Sequence, residues 1–198
     1  SRAYLAVRRA RRMLRTRVNL ARRAIDKAAF VGSHLLLPLD WAIRKAVPPV
    51  DDGCARPCFI VGPPRCGSTY LYQALSAMLN VGYVSNLAAA ISAVPMVGTV
   101  ADLVLTARSG HSSFTSRYGM TSGLRGPSEA PRFWYRFFGQ GPDACTWKSP
   151  ASALDLAEDL ARQEALRGRP YLVKNLYNSL RTKELTSARL FGTVDGEG

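Results

Sequence analysis

Pro57-Cys58-Phe59-Ile60-Val61-Gly62-Pro63-Pro64-Arg65-Cys66-Gly67-Ser68-Thr69-Tyr70-Leu71 takes an apolar run straight into a turn rich in Gly and Pro, then into two hydroxyl residues and a helical pattern. The order predicts a buried strand over 58–62, a tight loop, and a helix over 69–79. A chain arranged this way presents unpaired backbone N–H groups to an anion. Gly62 and Gly67 permit a sharp turn and let a ligand approach bare backbone. Ser68 or Thr69 can cap the helix and bond a phosphate oxygen.

The spacing Gly62-x-x-x-x-Gly67 nearly reproduces a nucleotide-hydrolysing P-loop, which has Lys after the second Gly and then a hydroxyl that holds magnesium. Here Ser68 stands at the lysine position, and Arg65, inside the turn, is the loop's only cation. A guanidinium there can grip a planar or tetrahedral anion through several N–H bonds without a metal. The stretch therefore points to metal-free transfer of an anionic group rather than ATP hydrolysis. A plain Gly/Pro turn of an α/β protein shares the spacing; the flanking strand, Arg65 and the paired hydroxyls argue for more.

These residues resemble the 5′-phosphosulfate loop of the sulfotransferase family, which typically reads Gly-Pro-Pro-Arg-Ser-Gly-Thr-Thr after a strand. The chain keeps Gly62, Pro63, Pro64, Arg65, Gly67 and Thr69, with Cys66 and Ser68 as small replacements. The likeness continues through Gly123-Leu124-Arg125-Gly126-Pro127-Ser128-Glu129 and Pro170-Tyr171-Leu172-Val173-Lys174-Asn175. It spans residues 57–190 and is greatest to the bacterial-type branch. The resemblance implies transfer of a sulfuryl group from 3′-phosphoadenosine 5′-phosphosulfate to a hydroxyl or amine, with no metal. It implies donor contacts from Arg65, Cys66, Gly67, Ser68, Thr69 and Tyr70. It further implies catalytic roles for Arg65 at the leaving oxygen, Glu129 as general base and Lys174 at the sulfonate. Glu129 lies in an aromatic-rich segment, where pairing with Arg125 or Arg132 is the structural alternative. His111 is a second choice of base, and Lys148 a second choice of cation.

In that family the strand matching Arg189–Val194 leads into an Arg-containing turn and later a Ser, which bind the nucleotide's 3′-phosphate. Here Asp195-Gly196-Glu197-Gly198 follows. Carboxylates there would repel a phosphate, so the chain is read as the N-terminal part of such a domain, with donor binding expected to be weak or absent and the chain by itself inactive in that event.

The formal charge of +13 is unevenly placed. Residues 1–50 hold twelve Lys/Arg against Asp26 and Asp40, and the remainder is close to neutral. Val7, Leu14, Val18, Ala21, Ile25 and Ala28 fall on one helical stripe, and arginines fill the other faces. Such an arm can dock on the domain, lie on an anionic membrane through residues 1–30, or act as an organelle transit peptide. No aromatic-interleaved basic patch accompanies it, so no nucleic-acid partner is expected. Cys54, Cys58, Cys66 and Cys145 form no Cys-x-x-Cys pair and offer no zinc spacing. They fit a reducing, cytoplasmic setting, with the protein in solution or at a membrane surface.

The expected organisation is a basic helical arm over 1–46, a Pro-rich linker over 47–57, and part of an α/β domain over 58–198. Further strands are expected near 82–85, at 171–173 and at 190–194, with helices at 149–168 and 179–188. Strands alternating with helices predict a P-loop-like three-layer sandwich with a mostly parallel sheet, incomplete, and ligands at the strands' carboxyl ends. The aromatics Phe133-Trp134-Tyr135 and Phe137-Phe138 either pack as a satellite core or line an acceptor pocket. The acceptor's class is unread. The alternative functions are a small-molecule kinase with an altered P-loop, and a non-catalytic membrane-surface or scaffold protein with a decayed nucleotide-binding fold. The missing lysine, and the lack of an apolar strand ending in Asp, weigh against the kinase.

Overall fold

The computed structural model describes residues 24–49, 57–106, 114–117, 120–141 and 143–187. Helix α1 occupies 24–33 and runs through a 3₁₀ turn at His34–Leu36 into α2 (Leu37–Ala46). Strand β1 (Cys58–Ile60) precedes α3 (Ser68–Met78), α4 (Asn86–Ala90) and α5 (Pro95–Thr106). A small antiparallel hairpin of β2 (Ser116–Arg117) and β3 (Met120–Thr121) leads to α6 (Pro131–Phe138) and α7 (Ser152–Arg167). Strand β4 (Leu172–Lys174), a 3₁₀ turn at Leu176–Leu180 and α8 (Thr182–Ser187) complete the described chain.

The fold is mixed α/β with a small parallel sheet. β1 and β4 pair in parallel, with Cys58 opposite Leu172, Phe59 opposite Val173 and Ile60 opposite Lys174. Alternation along a strand sends neighbours to opposite faces. Ile60 and Leu172 accordingly meet Tyr72 of α3, while Phe59 and Val173 meet the aromatic cluster of α6 with Leu156 and Leu160 of α7. Helices thus cover both faces of the pair. Pro131 suits the first turn of α6, since its missing N–H is an orphan there in any case. Phe133, Trp134, Phe137 and Phe138 then share the buried side, while Arg132 and Arg136 lie toward its edges. The adjacent aromatics are therefore the principal core rather than a satellite cluster or a pocket lining. Burying each stabilises by about 1.5–3 kcal/mol before cavity effects.

Polar contacts hold α2 on this body. Asp40 is buried, and its Oδ1 accepts the amides of Met96 at 2.8 Å and Val97 at 3.1 Å, capping α5 from another element. Its other oxygen takes Arg44 Nε at 2.8 Å, and Arg44 also pairs with the buried Asp159 of α7. Arg136 Nη1 reaches the second oxygen of Asp159 at 3.0 Å. Burial alone would lower the Arg44 pKa, but hydrogen bonds and charge from Asp159 and Asp40 hold it above its ordinary value. Gly168, left-handed at φ 61°, ends α7 as a C-cap.

Several boundaries depart from the sequence reading. β1 stops at Ile60 rather than Gly62, because the next residues leave the sheet. The strand expected near 82–85 is reduced to two isolated bridges, Gly82 with Tyr171 and Ser85 with Pro127. Ser149 does not cap α7; its hydroxyl bonds Ser152 Oγ at 2.9 Å and the helix begins at Ser152. The segment 176–180 is 3₁₀, with helix only from Thr182. The strand expected at 190–194 and most of the basic arm lie outside the described residues.

Candidate functional site

The loop between β1 and α3 is pinned at its first glycine. Ser179 Oγ accepts from Gly62 N at 2.9 Å and donates to Gly62 O at 2.9 Å, so one hydroxyl satisfies both backbone groups. The chain then turns through left-handed geometry at Arg65 (φ 68°) and Gly67 (φ 83°). Glycine accepts that conformation at little cost, whereas an L-residue such as Arg65 is held there against a preference of about 1–2 kcal/mol. Non-glycine residues held in such regions gather at functional sites.

Gly67 O takes the amides of Tyr70 at 2.9 Å and Leu71 at 3.1 Å, closing the first turn of α3. Tyr70's amide is therefore engaged, and its exposed ring leans on Phe114 with centroids 6.0 Å apart. Among the described residues, no main-chain carbonyl accepts the amides of Gly67, Ser68 or Thr69, while residues 64–65 form a tight turn that leads into Cys66. These donors lie at the positive end of the helix dipole. Their polarity registers on the neighbouring thiol: hydrogen bonds from Ser68, side chain first and then backbone, lower the Cys66 pKa from its usual value. The sulfur lies over Gly62, where an added Cβ would sit 2.9 Å from it.

Two residues far away in sequence complete the mouth of this loop. Lys174, the last residue of β4, sits level with Ile60 at the carboxyl end of the parallel pair. Its ammonium donates to Thr69 Oγ1 at 3.1 Å and pairs with Glu129 Oε1. The Lys174 side chain is only 5% exposed against 26% for Glu129, so the cation is the buried member and the carboxylate the accessible one. Leu176 N approaches the other carboxylate oxygen at 3.4 Å. Asn175 Nδ2 holds the Glu129 carbonyl at 3.0 Å, while Asn175 Oδ1 accepts Tyr177 N at 3.0 Å. Tyr72, buried beneath, directs its hydroxyl to Leu172 O at 3.3 Å, and burial raises its pKa well above the phenol range.

Thr69, Glu129 and Lys174 are thus brought together, with Ser68 and Cys66 just before Thr69 in the loop and first turn of α3. Arg65 lies on the exposed rim of the same loop. The alternative partners of Glu129 are occupied elsewhere: Arg125 Nη2 donates to Leu105 O at 2.6 Å and Arg132 Nη1 to Asp26 O at 2.9 Å. Lys148 is exposed, with its amide on Phe137 O at 2.7 Å, and His111 falls outside the described residues. A cavity of about 330 Å³ opens beside Glu129, lined among others by Asn86, Ala89, Met120, Ser128 and Arg132.

Sequence reasoning missed Ser179 as a support of the loop, and Tyr72 as the link from α3 to Leu172 and Ser128. Nothing local to either signals a bond made across more than fifty positions. Asn175 was open to discovery, since an Asn at a strand end commonly bonds the backbone two residues on.

Comparison of the chain with protein-family models, curated proteins and solved structures returned no match. Among the described residues, no group of three or more His, Cys, Asp or Glu is placed to hold a metal ion.

Proposed function

We propose that this domain transfers a sulfuryl group from 3′-phosphoadenosine 5′-phosphosulfate to a hydroxyl or amine, without a metal. The observation that carries the reading is the meeting of the Gly62–Thr69 loop with Glu129 and Lys174 at the carboxyl end of β1 and β4. The helices on both faces of that strand pair fit the centre of a P-loop-like three-layer sandwich.

The chemistry asks for a fixed donor, an aligned acceptor and charge neutralised on the leaving phosphate. The amides of Gly67 and Thr69 suit the 5′-phosphate, with that of Ser68 beside them on the Cys66 sulfur, and Arg65 on the rim suits the leaving oxygen. Lys174 reaches the same place from behind Thr69. In the transfer, the bond from sulfur to the bridging oxygen breaks while sulfur bonds to the acceptor. The acceptor's proton passes to Glu129, and the desulfated nucleotide leaves with the negative charge. Both Glu129 oxygens have donors close by in this structure. To take a proton, the carboxylate must loosen its hold on Lys174, which frees that ammonium to turn toward the transferring group. Acceptor access comes from the cavity beside Glu129.

Thermal unfolding with millimolar ligand in EDTA tests this. The donor or its desulfated nucleotide should raise the unfolding temperature, whereas ATP with magnesium in a parallel sample should not. Arg65→Ala should remove the nucleotide response and cut any transfer by on the order of a hundred- to a thousand-fold. Stabilisation by magnesium–ATP alone would point to phosphoryl chemistry and overturn the proposal.

A further inference from the structure

The α1–α2 region is amphipathic in the wrong sense for a solvated helix. Its protein side carries Ser33, Asp40 and Arg44, the first two buried and the third paired with Asp159. Its solvent side carries Val31 (59% exposed), Leu35 (85%), Leu39 (50%) and Trp41 (63%), with Leu36 and Leu37 also exposed. Val31, Leu35, Leu36, Leu37, Leu39 and Trp41 follow one another as exposed apolar side chains across the 3₁₀ turn at His34–Leu36. A run of large apolar side chains this continuous is unusual on a protein left in water and marks a surface that something covers.

The charges around it select the cover. Lys27 and Lys45 are exposed, and Lys45 Nζ stands 5.6 Å above the Trp41 ring. Asp40 is buried and paired with Arg44, and Asp26, the other acid on these helices, is half-buried and next to Lys27 in the sequence. A second copy would bring like charge against like. An anionic lipid surface accepts both halves of the pattern: aliphatic side chains enter the acyl boundary, Trp41 sits at headgroup level, and lysines meet phosphates. No helix among the described residues is long and apolar enough to cross a membrane. The contact therefore lies in the membrane plane.

We propose that the outward face of residues 31–41 is a seat for an anionic bilayer surface. This surface differs from the Val7–Ala28 stripe, and it does not depend on the sulfuryl-transfer reading. The test is flotation of the full chain with vesicles of phosphatidylcholine, with and without phosphatidylglycerol. Binding is expected to the anionic vesicles, with Trp41 fluorescence blue-shifted and quenched by brominated lipid; Trp41→Phe should lose that signal. Leu35→Glu with Leu39→Glu should weaken binding about tenfold or more. Both side chains point outward, so circular dichroism and unfolding temperature should hold, confirming that the variant folds. Equal binding to neutral vesicles would overturn the proposal, as would anionic binding unchanged by the double substitution. So would a dimer in light scattering that the substitutions break, with no vesicle binding.

Discussion

Removing either partner of the Lys174–Glu129 pair should have unequal consequences, and the inequality can be worked from burial. The Lys174 side chain is 5% exposed and Glu129 26%. Glu129→Ala strands a buried ammonium with Thr69 Oγ1 as its remaining described partner. Breaking a buried pair from one side costs about 3–5 kcal/mol. Because water reaches this pair through Glu129, the lower end, about 3 kcal/mol, is the expectation. Lys174→Met removes the buried charge, keeps most of the volume, and leaves a carboxylate that solvent and Leu176 N can serve. That change should cost about 1 kcal/mol, and adding it to Glu129→Ala should restore most of the loss. For a chain of this size, about 2–4 °C accompanies each kcal/mol, so the single variants should fall by about 6–12 °C and 2–4 °C. Urea unfolding of the four proteins, followed by circular dichroism, gives the cycle. Equal losses for the two single variants, or a double variant no better than Glu129→Ala, would refute the burial argument.

Three further outcomes follow from the geometry. Gly67→Ala should cost about 1–2 kcal/mol in a urea titration from backbone conformation alone, since its Cβ would meet nothing within 4 Å. Asp40→Ala should cost about 3 kcal/mol or more by the same measurement, because it uncaps α5 and leaves Arg44 with less charge to face. The lowered Cys66 pKa means its thiolate forms at lower pH than in an ordinary thiol. Iodoacetamide labelling of Cys66, read by peptide mass spectrometry over a pH series, should therefore rise at lower pH in the native chain than in Ser68→Ala, with the two converging as pH rises; identical profiles would contradict it.

The strand–loop–helix order at residues 58–78 was legible because apolar residues mark β1 and two glycines the turn; the hydroxyls expected to cap the helix instead lie inside α3, whose N-cap is Gly67 with no side-chain bond. Lys174 was legible in the same way, as the polar residue ending an apolar strand. Its meeting with Glu129 was not, because Glu129 sits in an irregular segment whose path is set by Tyr72, Asn175 and the bridge from Ser85 to Pro127. The aromatic run at 133–138 was misjudged as peripheral because adjacency hides helical period. On α6, positions 133, 134, 137 and 138 share one side, and only a helix there makes them one core. The inward Asp40 was unreadable for a different reason: its partners are amides at Met96 and Val97, and backbone donors leave no trace in residue type.

Protection of Cys66 offers the sharpest view of the loop, because its sulfur lies among the amides proposed to hold the donor. The rate of Cys66 alkylation should be measured in EDTA with and without saturating 3′-phosphoadenosine 5′-phosphate. A severalfold slowing at Cys66, with Cys58 and Cys145 unaffected, is the predicted result. An unchanged rate at Cys66, or protection that appears only with ATP and magnesium, would contradict the claim that this loop grips a sulfuryl donor without a metal.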